Sequence, residues 1–294
     1  MKRLIYFTDT HIGAGADAWG QQPTCAHLLP QLLSRLREWL IRNPADLVLH
    51  GGDCTDAGNA DQRRYELEFA RSLPVPFRIC LGNHDLRRPD SLGGWLSECR
   101  EFFGENATSG GDYVVDLGPA ALIVLTTRWQ RQTVAPGFHW PDEGVMWASF
   151  SDEQYEWLEN RLERLRGRPA ILAMHETLNP LPPRLTGLTE AIHAPPGPHI
   201  QRMRDFINSH PQVRLVLSGH CHATCATRDG GCVLLTTSAF FEPPFQVRVI
   251  TVSEGQIEAT IAYPIDIGDL DVRIDEGKRW SAGQWEDWTA RIPI

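Results

Sequence analysis

The side chains able to do chemistry in this chain gather in five short runs: Asp9-Thr10-His11, Gly51-Gly52-Asp53, Gly82-Asn83-His84-Asp85, His175-Glu176 and Gly219-His220-Cys221-His222. Asp9, His11, Asp53, Asn83, His175, His220 and His222 offer carboxylate, amide and imidazole donors. That mixture suits Zn, Fe or Mn better than Ca or Mg alone, and it is large enough for two ions. Each run by itself is also ordinary. Gly-Gly-Asp is a common turn, and Asp-x-His is a common polar strand end. On an extended chain, alternation turns Asp9 and His11 to one side and does the same for His220 and His222. Cys221 then faces away and is read as packing.

These runs need strands to deliver them, and the pattern supplies strands. Arg3–Phe7, Leu47–Leu49, Phe77–Leu81, Ala170–Met174 and Val213–Leu217 are short apolar segments, each closing on one of the runs. Asp53 ends a strand at paired glycines, the position where ligands bind in open α/β sheets. Between the strands, apolar residues at helical spacing predict helices over His27–Ile41, Tyr65–Leu73, Ser151–Leu165 and Ile200–Ser209. The rhythm of strand and helix points to α/β layering. Tyr113–Leu117 and Ala121–Thr126 read as a strand pair, and Val233–Thr237, Phe245–Val252 and Ile257–Ala262 as later strands. Two irregular stretches, 128–150 and 176–199, hold Trp and Pro respectively and read as loops near the site. His139, His193 and His199 lie in them, with no spacing that singles them out. The last thirty residues carry Trp280, Trp285 and Trp288, which either cover the sheet or form a dimer contact.

Composition narrows the function classes. The chain has 294 residues, 42% hydrophobic and 22% charged, with a formal net charge of −9. An acidic balance argues against non-specific nucleic-acid binding, which requires a basic face. It is compatible with a small phosphorylated substrate if metal ions supply positive charge. No apolar run reaches membrane-spanning length, and the N-terminus is too short in apolar residues for a signal-peptide core. The seven cysteines lack Cys-x-x-Cys spacing and read as buried thiols of a cytoplasmic protein.

Taken in order, the five runs resemble the calcineurin-like metallophosphoesterases, and the Asn-His-Asp form is similar to the class III cyclic-nucleotide phosphodiesterase branch. The resemblance covers residues 9–222. It implies an α/β/β/α sandwich of two mixed sheets flanked by helices, with a catalytic domain over 1–262 and a Trp-rich extension over 263–294 packed on it or on a partner subunit. It also implies a cofactor of two Mn, Fe or Zn ions: one held by Asp9, His11 and His222, the other by Asn83, His175 and His220, with Asp53 shared. The expected reaction is hydrolysis of a phosphate ester, first of all a diester such as a cyclic nucleotide, by hydroxide generated between the ions. A monoester phosphatase or a non-catalytic metal-containing scaffold is the alternative. His84 would stabilise the phosphoryl oxygens or protonate the leaving group. Asp56 and Asp85 are expected to support neighbours, and Arg87 and Arg88 to reach the substrate or to pair with Asp90. Two departures bear on substrate. Glu176 stands where many relatives have a second His, adding negative charge near a phosphate, and Thr126-Thr127-Arg128 replaces a frequent Leu-Asp.

Overall fold

The computed structural model describes residues 1–131, 146–193 and 197–294. In chain order its strands and helices are β1 (Lys2–Phe7), α1 (Leu29–Arg42), β2 (Leu47–His50), α2 (Ala60–Ser72), β3 (Phe77–Ile79), α3 (Ser91–Glu98), β4 (Tyr113–Asp116), β5 (Ala121–Val124), β6 (Arg128–Arg131) and β7 (Met146–Ser149). They continue with α4 (Asp152–Arg164), β8 (Ala170–Ala173), α5 (Pro183–Thr186), α6 (Gly197–Ser209), β9 (Val213–Ser218), β10 (Cys225–Asp229), β11 (Cys232–Thr236), β12 (Val247–Ser253), β13 (Gln256–Ala262), α7 (Trp285–Trp288) and β14 (Thr289–Pro293).

Two six-stranded sheets face one another, in the orders β14-β13-β12-β1-β2-β3 and β10-β11-β9-β8-β5-β4. Both are mixed. β1, β2 and β3 are parallel, whereas β12, β13 and β14 run antiparallel. Side-chain alternation explains the layering. Leu122, Val124, Ile171, Ala173, Leu215 and Leu217 turn inward to the core shared with the first sheet, which α1 closes through Leu29, Leu32, Leu33, Leu36 and Leu40. Ile123, Leu172 and Val216 turn outward to meet Tyr155, Leu158 and Leu162 of α4 and Met203 and Ile207 of α6. The result is the α/β/β/α sandwich expected from the sequence.

The boundaries moved in places. α2 begins earlier than expected because the Asn59 side chain accepts from the Gln62 N–H. The Ser151 start of α4 is a full capping box with Gln154. α3, β10, α7 and β14 lie outside the expected elements, and neither irregular stretch is simply a loop: β6 and β7 pair antiparallel at the two ends of 128–150, and α5 and the start of α6 fall within 176–199. Residues 132–145 between them, with His139 and Trp140, lie outside the described residues, as do the side chains of Trp129, Trp147 and His199.

The C-terminal segment joins both sheets. β14 adds an edge strand beside β13. Buried Arg248 donates to the carbonyls of Thr236 (2.7 Å) and Asp287 (3.2 Å), and the Asp287 carboxylate accepts from the Ala226 N–H (2.7 Å) and from Arg184 (2.8 Å). Trp280 packs against the cluster of Leu181, Leu185, Cys221, Ala223 and Cys225, whereas Trp285 is 78% exposed. Among the described residues no helix is long and apolar enough to cross a membrane. All seven cysteines are buried and unbridged.

Candidate metal centre

The parallel register of β1 and β2 sets Phe7 beside His50, so the two strands end together. Their following loops then zip: the Asp9 N–H donates to the Gly52 carbonyl (2.9 Å), His11 to Asp53 (3.0 Å) and Ile12 to Cys54 (2.9 Å). On the facing sheet the Gly219 N–H donates to the His175 carbonyl at 3.0 Å. Close approach explains two glycines. A Cβ at Gly52 would lie 2.5 Å from His175 Nδ1, and one at Gly219 would lie 2.5 Å from Asp9 Oδ2.

The donors do not sit on extended backbone. Asp9, His11, Asp53, His220 and His222 all have φ between +46° and +65°, the left-handed region that costs a non-glycine residue energy. Strand alternation is therefore not what brings these pairs together: the chain leaves the strand before each pair and curls so that both side chains turn toward the cluster. Five such residues in one place is strain held by the surrounding hydrogen bonds.

Asp9 oxygens are divided between two tasks. Oδ2 accepts from the Thr8 hydroxyl (2.6 Å) and the His220 N–H (3.2 Å). Oδ1 faces His222 Nε2 at 3.2 Å, His11 Nε2 at 3.7 Å and His175 Nε2 at 3.8 Å, yet it is buried without a hydrogen-bond partner. His175 donates from Nδ1 to the Gly51 carbonyl (3.0 Å), which leaves Nε2 3.1 Å from Asp53 Oδ2 and likewise without a partner. Buried polar atoms are normally satisfied. Orphans of opposite type, aimed at a common point and not bonded to one another, fit a cation between them. Asp9, His11 and His222 form one compact donor set, and Asp53, His175 and His220 another. Asn83 joins the second, its Oδ1 lying 3.0 Å from His220 Nδ1.

Charge at the cluster is balanced internally. Burial works against ionisation of Asp9 and Asp53, but the imidazoles of His175 and His222 at Asp9, and of His175 and His84 at Asp53, outweigh it and hold both carboxyls below their usual range. In return, against the cost of burial, Asp53 and Asp9 lift His175 to about 10, Glu242 and Asp9 lift His222 to about 10, and Asp56 and Asp9 lift His11 to about 9. His220 moves the other way, to about 3, through burial and then the His175 charge. Protons on imidazole here do what a divalent cation would do in their place, so metal uptake would release them.

Around the donors stand residues of several origins. The His84 N–H donates to Asp53 Oδ1 (2.8 Å), and its ring Nδ1 donates to the Asp56 carbonyl (2.8 Å) with Asp56 Oδ1 at 3.4 Å. Asp85 accepts from the N–H groups of Cys54, Thr55 and Gly82, locking the Asp53 and Asn83 loops together. Glu176 is buried beside His220, at 3.5 Å. Burial pushes its carboxyl up to about 8, so the negative charge expected of it near neutrality is largely absent. Arg87 reaches the Asp56 carbonyl at 3.4 Å and Arg88 pairs with Asp90 at 3.7 Å; neither is among the residues lining the cavity.

The cavity above the cluster has a volume of about 340 Å³, with His11, Asp53, Asn83, His84, His220 and His222 on its floor. Asp56 and Ala18, Trp19 and His193 complete its walls. Sequence reasoning did not find Glu242, which holds His222 Nδ1 at 2.5 Å, nor Thr8, Trp19 and Gln21. Glu242 follows the donor it serves by twenty residues in a Phe-Glu-Pro-Pro turn, and no spacing marks it.

Comparison with known proteins bears on the family and the fold. Residues 2–224 match the family model described as calcineurin-like phosphoesterase. A probable glycerophosphodiester phosphodiesterase of Arcobacter nitrofigilis is 24% identical over 74% of this chain and 71% of its own length. A 3',5'-cyclic adenosine monophosphate phosphodiesterase of Pseudomonas aeruginosa is 24% identical over 80% and 74%. Among solved structures, a dimetal phosphatase from Danio rerio superposes with a TM-score of 0.65 at 14% identity, over 90% of this chain and 97% of that one, a likeness of fold.

Proposed function

The chain belongs to the calcineurin-like phosphoesterase family, and from that premise we propose that it is a binuclear metal-dependent phosphodiesterase of small substrates. The observation that carries this reading is the convergence of the donor sets around buried, unpartnered Asp9 Oδ1 and His175 Nε2. Asp9, His11 and His222 would hold one cation and Asn83, His175 and His220 the other, with Asp53 between them. When bound, such a pair supplies Lewis acidity toward the phosphoryl oxygens and lowers the pKa of water at the site.

The chain's own residues do the rest. Hydrolysis adds water across one P–O bond, and the departing alkoxide takes a proton. His84, aligned through Nδ1 by Asp56, lines the cavity and is assigned that proton transfer. Asn83 contributes a neutral amide where a carboxylate would cancel part of the positive surplus. A diester is preferred over a monoester because the described lining of the cavity includes no Lys or Arg to match a second negative charge, and two of the relatives are named as diesterases. Arg87 and Arg88 would meet only the outer part of a substrate. Residues 1–262 are taken as the catalytic domain and 263–294 as its extension, and the unbridged buried thiols support residence in the cytoplasm.

Metal analysis together with paired assays tests this. Protein reconstituted with Mn, Fe or Zn should retain two equivalents and hydrolyse bis(p-nitrophenyl) phosphate about tenfold or more faster than p-nitrophenyl phosphate. Failure to retain metal would overturn the centre, and a monoester preference would overturn the diester assignment.

A further inference from the structure

Trp19 is a large apolar side chain left 56% exposed at the rim of a cavity whose floor is polar. Gln21 and Gln22, which follow it after Gly20, are nevertheless tied to distant parts of the chain. The Gln22 N–H donates to Glu242 Oε2 (2.7 Å), the carboxylate that also holds His222. Gln21 donates from its amide to the Cys221 carbonyl (3.2 Å) and meets His193 Nε2 at 2.8 Å. The Gln22 amide pairs twice with the Asp275 backbone, donating at 3.1 Å and accepting at 2.8 Å. An exposed indole next to a segment held in this way is restricted in where it can move, which favours preorganisation.

The indole stays open to solvent beside two imidazoles. The indole centroid lies 4.8 Å from that of His222 at an interplanar angle of 55°, and 5.5 Å from that of His193 at 66°. Both imidazoles meet it at a tilt and not in a parallel stack, and the indole keeps 56% of its surface exposed. His193 itself has φ +50°, a strained backbone that brings its ring to the rim. Ala18, Trp19 and His193 thus make an aromatic wall rising from the donor cluster, with His222 at its foot.

We propose that Trp19, backed by His193, is the specificity-determining platform of this site, and that it stacks on a flat aromatic group carried by the phosphoester, such as a nucleobase or aryl ring. The proposal rests on the phosphodiesterase reading above. A phosphorus at the donor cluster puts the ester's organic part beside the wall. A ring gains stacking and apolar burial there, whereas a glycerol-type group brings hydroxyls that Ala18 and the indole face cannot satisfy.

The test compares wild type with Trp19→Ala and Trp19→Phe, all reconstituted with Mn and shown to have equal metal content. Steady-state kinetics are read on 3',5'-cyclic AMP and on ringless glycerophosphocholine. Calorimetry reads binding of AMP and of glycerol 3-phosphate. Trp19→Ala should raise KM for the ring substrate and lower the ring-to-ringless ratio of kcat/KM by roughly ten- to a hundredfold, as for lost base stacking, with a matching loss in AMP affinity relative to glycerol 3-phosphate. Trp19→Phe should restore most of the ratio. A Trp19→Ala variant that weakens both classes equally, or neither, overturns the platform and leaves Trp19 as a cover for His222. A wild type that binds AMP no better than glycerol 3-phosphate overturns it too. Should wild type hydrolyse neither diester while still preferring AMP in calorimetry, the platform stands and the phosphodiesterase reading falls.

Discussion

The floor of the cavity and its rim are built by different means. The floor is made of loops that leave neighbouring strands together and bond to each other through backbone groups, as in the Asp9–Gly52 and His11–Asp53 pairs. The rim is held by side chains reaching across the fold: Gln22 to Asp275, Gln21 to Cys221, and Glu242 to both Gln22 and His222. Backbone bonding between parallel strands makes a precise, strained platform for charged donors. Side-chain bonding over 253 positions makes a wall whose shape can change without disturbing that platform. In the proposed function, chemistry falls to the first region and selection to the second.

Substitutions on the floor should have the largest effects. Asn83→Ala or His220→Ala should lower kcat/KM by at least about a thousandfold and reduce bound metal, read by metal analysis. Retention of activity by either variant would break the distinction at its root. His84→Ala should lose about 10²- to 10⁴-fold in kcat while keeping its metal, if the proposed role in protonating the leaving group holds. Glu242 belongs to both regions. Glu242→Gln should weaken metal affinity about 10- to 100-fold, as expected when the partner of a ligating imidazole is changed, and should also loosen the Trp19 segment.

A further variant sharpens the comparison from outside both regions. Glu66 is buried like Asp9 and Asp53, but neither of its carboxylate oxygens has a hydrogen-bond partner. Burial, reinforced by Asp85, raises it from 4.5 to about 8, the reverse of the floor acids. The folded state therefore keeps a proton that the unfolded chain releases, so this contribution to stability is whole below pH 4.5 and is lost as pH rises through about 8. Glu66→Gln should flatten that loss, gaining on the order of 2 kcal/mol at pH 9 relative to wild type and little at pH 5. Urea unfolding at the two pH values measures it, and parallel curves for the two proteins would contradict it.

The donor runs were legible because each is local. A strand, a glycine or two and a polar pair occupy fewer than ten residues, and the apolar runs before them fix where the strand must end. The helices α1, α4 and α6 were legible for the same reason, their apolar stripes repeating within each segment. α3 carries Gly93-Gly94, weak helix formers that blur its apolar stripe, and β10 carries Thr227-Arg228-Asp229, a polar edge strand with little core to bury. β14 has only two buried positions, Ala290 and Ile292.

The sequence by itself determined the donor types, their order and the layered α/β class, because hydrophobic period and ligand chemistry are properties of short stretches. Only the tertiary structure decided that Asp9, His11, Asp53, His220 and His222 converge from left-handed backbone, that burial favours the protonated form of Glu176, and that Trp19, Glu242 and the residue 275 turn stand together. Those depend on the packing of segments far apart in the chain, where desolvation and mutual contact set the outcome and no local pattern records it.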